Sequence, residues 1–271
     1  MHWLFSSTRI IEKAAKTLAR TDLPDRRTAD AKDAIPWHRW PSPGPYSLCL
    51  ARWAELHHPS REGIWTCDIR DIEALSASKS SLRNFASLDE FALACCRREV
   101  GDASERALQA CLKHGGMGVL KQPPSDDLVR YAWDGRLLLL NGDGSHHFAA
   151  ARFIAGKLGR RVPVRVPLRE FGLDVAAIAR LLEQSALFLI PESTHGLNRA
   201  LRWSGADFRF GDVPGAPLRW PGRAPEHRLL ELSTHTRPGA KAAAVLRNQG
   251  FCDVGKALLE MAKRQTFLLP D

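Results

Sequence analysis

Between Leu140 and Phe148 the chain places two glycines, a carboxylate, a hydroxyl and two imidazoles in one run, Asn141-Gly142-Asp143-Gly144-Ser145-His146-His147. Glycines at 142 and 144 let an anion approach the backbone closely. A helix starting near Ser145 leaves its first N–H groups without helical partners and turns the positive end of its dipole outward. Asp143 is a carboxylate that could hold a metal ion or accept a proton, and His146 and His147 flank the first turn. A phosphate, with or without Mg²⁺, is the natural guest of such a loop. Asp143 as Mg²⁺ ligand and His146 as its partner would suit phosphoryl transfer or phosphodiester cleavage. The same residues would equally serve as a tight connection, with Ser145 a routine cap.

The flanking sequence indicates how the loop is held. Leu137 to Leu140 is a short apolar run suited to a buried strand. The stretch from Phe148 to Leu158 has an apolar side and a glycine stop at Gly159, which suits a helix. Val162 to Val166 returns as a strand. Upstream, Ile64 to Ile69 alternates like a strand, Asp71 to Leu75 reads as a short helix, and Ser87 with Glu90 forms a capping-box start for a helix reaching toward Arg98. Ala103 to Lys113 reads as a helix ending at Gly115-Gly116. Val119 to Lys121 and Leu128 to Trp133 read as strands, and Asp134-Gly135 signals a two-residue hairpin.

This order of elements resembles the ParB/sulfiredoxin-like superfamily. DGSHHFAAARFIAGKLGRRVPVRV is similar to that family's glycine-histidine loop, alanine-rich helix and Val-Pro-Val strand. SERALQACLKHGG resembles the helix that precedes the first sheet strand, and YAWDGRLLLLNGDG the hairpin that delivers the loop. The resemblance covers about residues 64–170 and implies an α+β fold with a small sheet. It also implies binding of a nucleoside triphosphate, ATP or CTP, with Mg²⁺ as a possible companion. Residues Gly142, Asp143, Gly144, Ser145, His146 and His147 would form the phosphate-contacting loop. His147 stands where the family has an arginine, and Arg152 is the candidate to supply the missing guanidinium. Ser145 stands where sulfiredoxins have their cysteine, so sulfinic-acid reduction is not expected. The apolar FAAARFIAG replaces the partitioning branch's arginine-rich helix, which argues against CTP switching of that kind.

The rest of the chain is ordinary in composition and unusual in charge. It has 271 residues, 44% apolar and 25% charged, as folded proteins do, with a net charge of +9. Residues 196–271 alone carry +5. Arg199, Arg202, Arg209 and Arg219 are interleaved with Trp203 and Trp220, a pattern that suits nucleic-acid phosphates and stacked bases as well as arginine stems covering tryptophans. Leu173 to Ser185 reads as a helix and Leu187 to Ile190 as a buried strand or helix end. Ala240 to Arg247 and Val254 to Lys263 read as a final helical pair, whose Leu246 disfavours a DNA-reading helix-turn-helix. At the N-terminus, residues 7–20 read as a helix capped by Ser7 or Thr8, followed by a Pro- and Trp-rich stretch with Trp37, Trp40 and Trp53.

The expected organisation is an N-terminal arm over 1–59, a ParB/sulfiredoxin-like domain over 60–170 and a basic, largely helical region over 171–271. The six cysteines fall in no metal-finger spacing and read as reduced, mostly buried thiols. No run of 18 apolar residues occurs, the start lacks a signal-peptide pattern, and a cytoplasmic location is expected. Three functions follow. The first is a nucleotide-binding protein acting on or near DNA. The second is a Mg²⁺-dependent phosphotransferase or nuclease built on the Gly142–His147 loop. The third is a protein-interaction module whose nucleotide pocket is vestigial.

Overall fold

The computed structural model describes residues 2–16, 56, 61–80, 82, 85, 87–133, 135–191, 194–212 and 227–270. Trp37, Trp40, Trp53, Asp134, Arg219 and Trp220 lie outside the described residues. The fold is α+β, in two compact units.

The unit built on residues 58–172 and 265–271 holds the candidate loop. Its sheet comprises β1 (Arg61–Asp68), β2 (Ile72–Leu75), β3 (Asp127–Tyr131), β4 (Leu137–Leu140) and β5 (Pro163–Phe171) in the order β1-β5-β3-β4-β2. The pairs β1/β5 and β3/β4 are antiparallel, whereas β3/β5 and β2/β4 are parallel. Both residues flanking Glu73, and Leu75 after them, are fully buried. The segment 71–75, expected as a short helix, is therefore corrected to a turn at Ile69–Asp71 followed by strand β2. A run this short carries no periodicity that separates helix from strand, and its pairing with Leu137–Leu139 decides the matter. Val119 to Lys121, expected as strand, instead belongs to a single 3₁₀ turn at Gly118–Leu120 and its C-cap. The link from β3 to β4 covers 132–136 rather than a two-residue turn, because the register pairs Arg130 with Leu137.

Helices α2 (Leu88–Cys95), α3 (Arg97–Val100) and α4 (Glu105–Leu112) surround α5 (Ser145–Leu158). Ser87 and Ser104 cap α2 and α4 by accepting the N–H of Glu90 and Ala107. Helix α5 buries Phe148, Ala149, Ala150, Ala151, Ile154 and Ala155, and its run of small residues lets three helices approach it closely. Glu170 is fully buried, pairs with Arg130, and accepts the N–H groups of Leu268 and Leu269 at 3.0 Å. Arg130 also donates to the Thr266 carbonyl at 2.6 Å, so the last residues are part of this unit.

The other unit includes residues 173–264 and the helix α1 (His2–Lys16), which starts at His2 rather than at a Ser7 or Thr8 cap. Its antiparallel sheet has the order β6-β8-β7, from Ser185–Pro191, His227–Ser233 and Phe208–Asp212. Helices α6 (Val175–Gln184), α7 (His195–Ser204), α8 (Arg237–Asn248) and α9 (Val254–Lys263) complete it. Ile11 and Ala15 of α1 join Phe188, Leu201, Leu230 and Leu246 in one core. The region expected to be largely helical thus also holds a sheet, because Leu229, Leu230 and Leu232 pair with the apolar run Ala186–Ile190.

Candidate anion site at the start of helix α5

Gly144 is the N-cap of α5, in the left-handed conformation at φ 71°, and Ser145 is the first helical residue. A Cβ on Gly144 would sit 2.4 Å from the Gly116 carbonyl oxygen, so two glycine backbones pass in direct contact here. This approach brings the loop after α4, and with it His114, onto the start of α5. No side chain caps the helix, and the first N–H with a helical partner is that of Phe148, bonded to Gly144 O at 2.8 Å. The N–H groups of the first turn are therefore without helical acceptors.

The strand β2 brings a second segment to the same place. Its continuation, 76–80, is held by Asn141, which accepts the N–H of Ala77 and donates to the carbonyls of Ala77 and Asp143. From the other side, buried Asp126 accepts the N–H of Gly142 at 3.4 Å. Ser78 Oγ lies 3.1 Å from Ser145 Oγ. The result is a cavity of about 480 Å³ lined by Ser78, Lys79, His114 and the whole run Asn141–His147.

Six of the expected loop residues, Gly142 to His147, therefore line one cavity. His146 faces serine hydroxyls with both ring nitrogens, Ser80 Oγ at 3.0 Å and Ser145 Oγ at 3.4 Å, and its ring packs on Phe91. His147 stacks on His114 with ring centroids 3.6 Å apart and planes 18° apart. Burial, and then the neighbouring His114, pushes the His147 imidazolium to a lower pKa than usual. The N–H of Gly144 holds the Asp143 carboxyl below its ordinary range, with Lys79 and His114 adding to the effect, so Asp143 is charged at neutral pH.

Arg152 does not line the cavity. It donates to the carbonyls of Ile72 at 2.8 Å and Arg70 at 3.2 Å and pairs with Asp89, tying α5 to the 69–72 turn and to α2. Among the described residues Lys79 is the cation that lines it instead, and His114 is a second lining residue the motif did not point to. Neither has a local signature, since each reaches the loop through tertiary pairing. Among the described residues no group of three His, Cys, Asp or Glu side chains is placed to hold a metal ion. Asp143 is the single carboxylate among the described residues lining the cavity.

In the other unit, Arg199, Arg202 and Arg209 are exposed, and Trp203 is 72% exposed. Arg199, Arg202 and Trp203 fall at helical spacings of three and four on one face of α7. Among the five described cysteines, Cys67, Cys96 and Cys111 are buried, Cys95 and Cys252 are half-buried, and none is paired. No described helix is long and apolar enough to cross a membrane.

Comparison with known proteins gives one match: residues 62–271 fit the family described as "Family of unknown function (DUF6685)", and the chain belongs to it. No curated protein and no solved structure matches.

Proposed function

We propose that this member of the DUF6685 family binds the phosphate end of a nucleotide in the cavity at the start of α5. The observation that carries the reading is convergence: Lys79 and His114, from separate segments, meet the glycine loop around one 480 Å³ space. That volume is in the range of small-molecule sites and exceeds what a bare phosphate needs. The first-turn N–H groups of α5 supply donors aimed at oxygen, and Lys79 supplies a point charge. Ser78 and Ser145 supply hydroxyls within the same wall. Asp143 repels a bare anion and accepts hydrogen bonds, which favours a ligand that carries hydroxyl or amine donors beside its phosphate. The loop's resemblance to the ParB/sulfiredoxin-like pattern supports the same guest.

The test is thermal denaturation with ATP, CTP, GTP and ADP, each with and without Mg²⁺. A ligand at about 100 times its Kd stabilises the fold by roughly 2.7 kcal/mol. The expected result is a raised melting temperature that Lys79→Ala, a change at an exposed side chain, largely removes. No shift with any of the four would refute the reading.

Action on or near DNA, in a cytoplasmic setting, is the second part of the proposal and rests on the α7 face. An exposed tryptophan flanked by two exposed arginines offers a stacking platform and phosphate contacts together. DNA affinity should fall with salt, and Arg199→Ala with Arg202→Ala should lower the log–log slope by about 1 per lost contact. A slope unchanged by both substitutions would remove α7 from the interface.

A further inference from the structure

We propose that His114 and His147 act as one proton-accepting pair, so that a doubly charged phosphate group enters the cavity together with about one proton. The inference rests on the phosphate reading above and names the ionic form the site takes.

Three observations carry it. The first is charge balance in the wall. Among the described lining residues the fixed charges are Lys79 and Asp143, which oppose one another, so that part of the wall carries no net positive charge unless an imidazole is protonated. The second is the stacking. At 3.6 Å between centroids two imidazolium rings repel strongly, so the pair holds at most one added proton. The third is the hydrogen bonding of the ring nitrogens. His114 Nδ1 accepts the N–H of Gly116 at 3.1 Å, which places the neutral ring's proton on Nε2. His147 Nδ1 is buried and has no hydrogen-bond partner among the described residues. The protein thus supports the neutral form of His114 and leaves a nitrogen of His147 without an assigned role.

The other groups facing the pair do not change this outcome. Glu99 and Asp143 favour the protonated form of His147, while His114 and His146 oppose it. Nearby Cys96 and Cys111 are neutral thiols, Cys96 pushed up to about 12 and Cys111 also raised, both by burial. Burial prevails and holds the His147 imidazolium at a lower pKa than usual, while the Gly116 N–H bonded to His114 Nδ1 favours that ring's neutral form. A dianion placed beside the pair supplies the opposite charge that raises an imidazole pKa. Binding therefore draws a proton from solution, and apparent affinity increases as pH falls toward the pair's own value in the empty site.

Sulfate is the probe, since it remains a dianion where a phosphate ester titrates, at about pH 6. Calorimetric titration of the full chain, in buffers of different ionisation enthalpy near pH 7, reads the protons taken up. The expected result is uptake of up to one proton, with affinity falling up to about tenfold per pH unit as pH rises. The imidazole nitrogens of His114 and His147 should move together toward the imidazolium pattern in ¹⁵N spectra when sulfate is added. The double variant His114→Gln, His147→Gln should bind sulfate more weakly, through Lys79 and the helix N–H groups, with no proton uptake. Equal heats in all buffers for the wild type, or uptake that persists in the double variant, would overturn the proton coupling and leave the phosphate site intact. No sulfate binding by the wild type at any pH would overturn the proton-coupled entry of a dianion, while the nucleotide reading stands or falls on the melting-temperature test above.

Discussion

Gly144 meets two requirements at one atom. Its φ of 71° is strained for any residue with a Cβ, by about 1–2 kcal/mol, and that Cβ would lie 2.4 Å from the Gly116 carbonyl. Gly144→Ala should therefore lower stability by more than the conformational term alone and push the 114–116 loop away. Denaturant melts would read the first effect, and loss of the close contact between the two imidazoles in NMR spectra the second. The thiols provide a second check at this scale. Burial pushes Cys67 and Cys96 up to about 12, and the carboxylates Asp71 and Asp68 add to the effect at Cys67. Both should resist alkylation in native protein at mildly alkaline pH and react once it is unfolded; rapid native labelling of either would contradict their burial. The glycines and imidazoles of the loop were legible in the sequence because their role is local. Lys79 was not, since nothing local distinguishes one lysine in a serine-rich stretch. Arg152 misled by spacing: seven residues along a helix is about 10 Å, too far to reach back past its first turn.

At the scale of elements, the site depends on a strand that the sequence presents as a helix. Ile72–Leu75 pairs in parallel with Leu137–Leu139, so the chain leaving β2 and the chain leaving β4 emerge at the same sheet end. Asn141 then ties the two together through Ala77. Asn141→Asp keeps an acceptor but removes the donors to Ala77 and Asp143, and should cost about 2–3 kcal/mol in chemical denaturation. Asp68 does comparable work at the other end of β2, accepting the N–H of Arg70 at 2.9 Å and of Val162 at 3.1 Å. Burial alone raises its carboxyl, but the Arg70 and Val162 bonds outweigh that and hold it below the usual range. A lowered folded-state value means stability that is present above about pH 4 and lost as pH falls through the folded value. Asp68→Ala should therefore be destabilising at pH 7 and nearly neutral in strong acid; an equal effect at both would contradict the assignment. The strands β1, β3, β4 and β5 and most helices were legible, since their patterns run long enough to show a period or a cap. The 118–120 turn was not, because three apolar-flanked residues fit either state.

At the scale of the whole molecule, the unit that carries the site is closed by a buried ion pair. Arg130 and Glu170 sit on the paired strands β3 and β5, and Glu170 holds the N–H groups of Leu268 and Leu269. Removing one partner leaves the other charge buried, so Glu170→Ala should destabilise by about 3–5 kcal/mol, while a change of both to well-packed apolar residues should cost far less. No periodicity argument could pair positions 40 residues apart or bring the last residues back to the sheet. What the sequence did carry was the α+β class and the strand–loop–helix order at 137–158, because both are written in local pattern. The measurement that bears most directly on a phosphate site at α5 is an amide ¹H–¹⁵N titration of the whole chain with ATP or CTP. The expected result is saturable shifts at Gly142–His147, Ala77–Lys79 and His114. Saturation without shifts at these amides, or no saturable change at all, would contradict it.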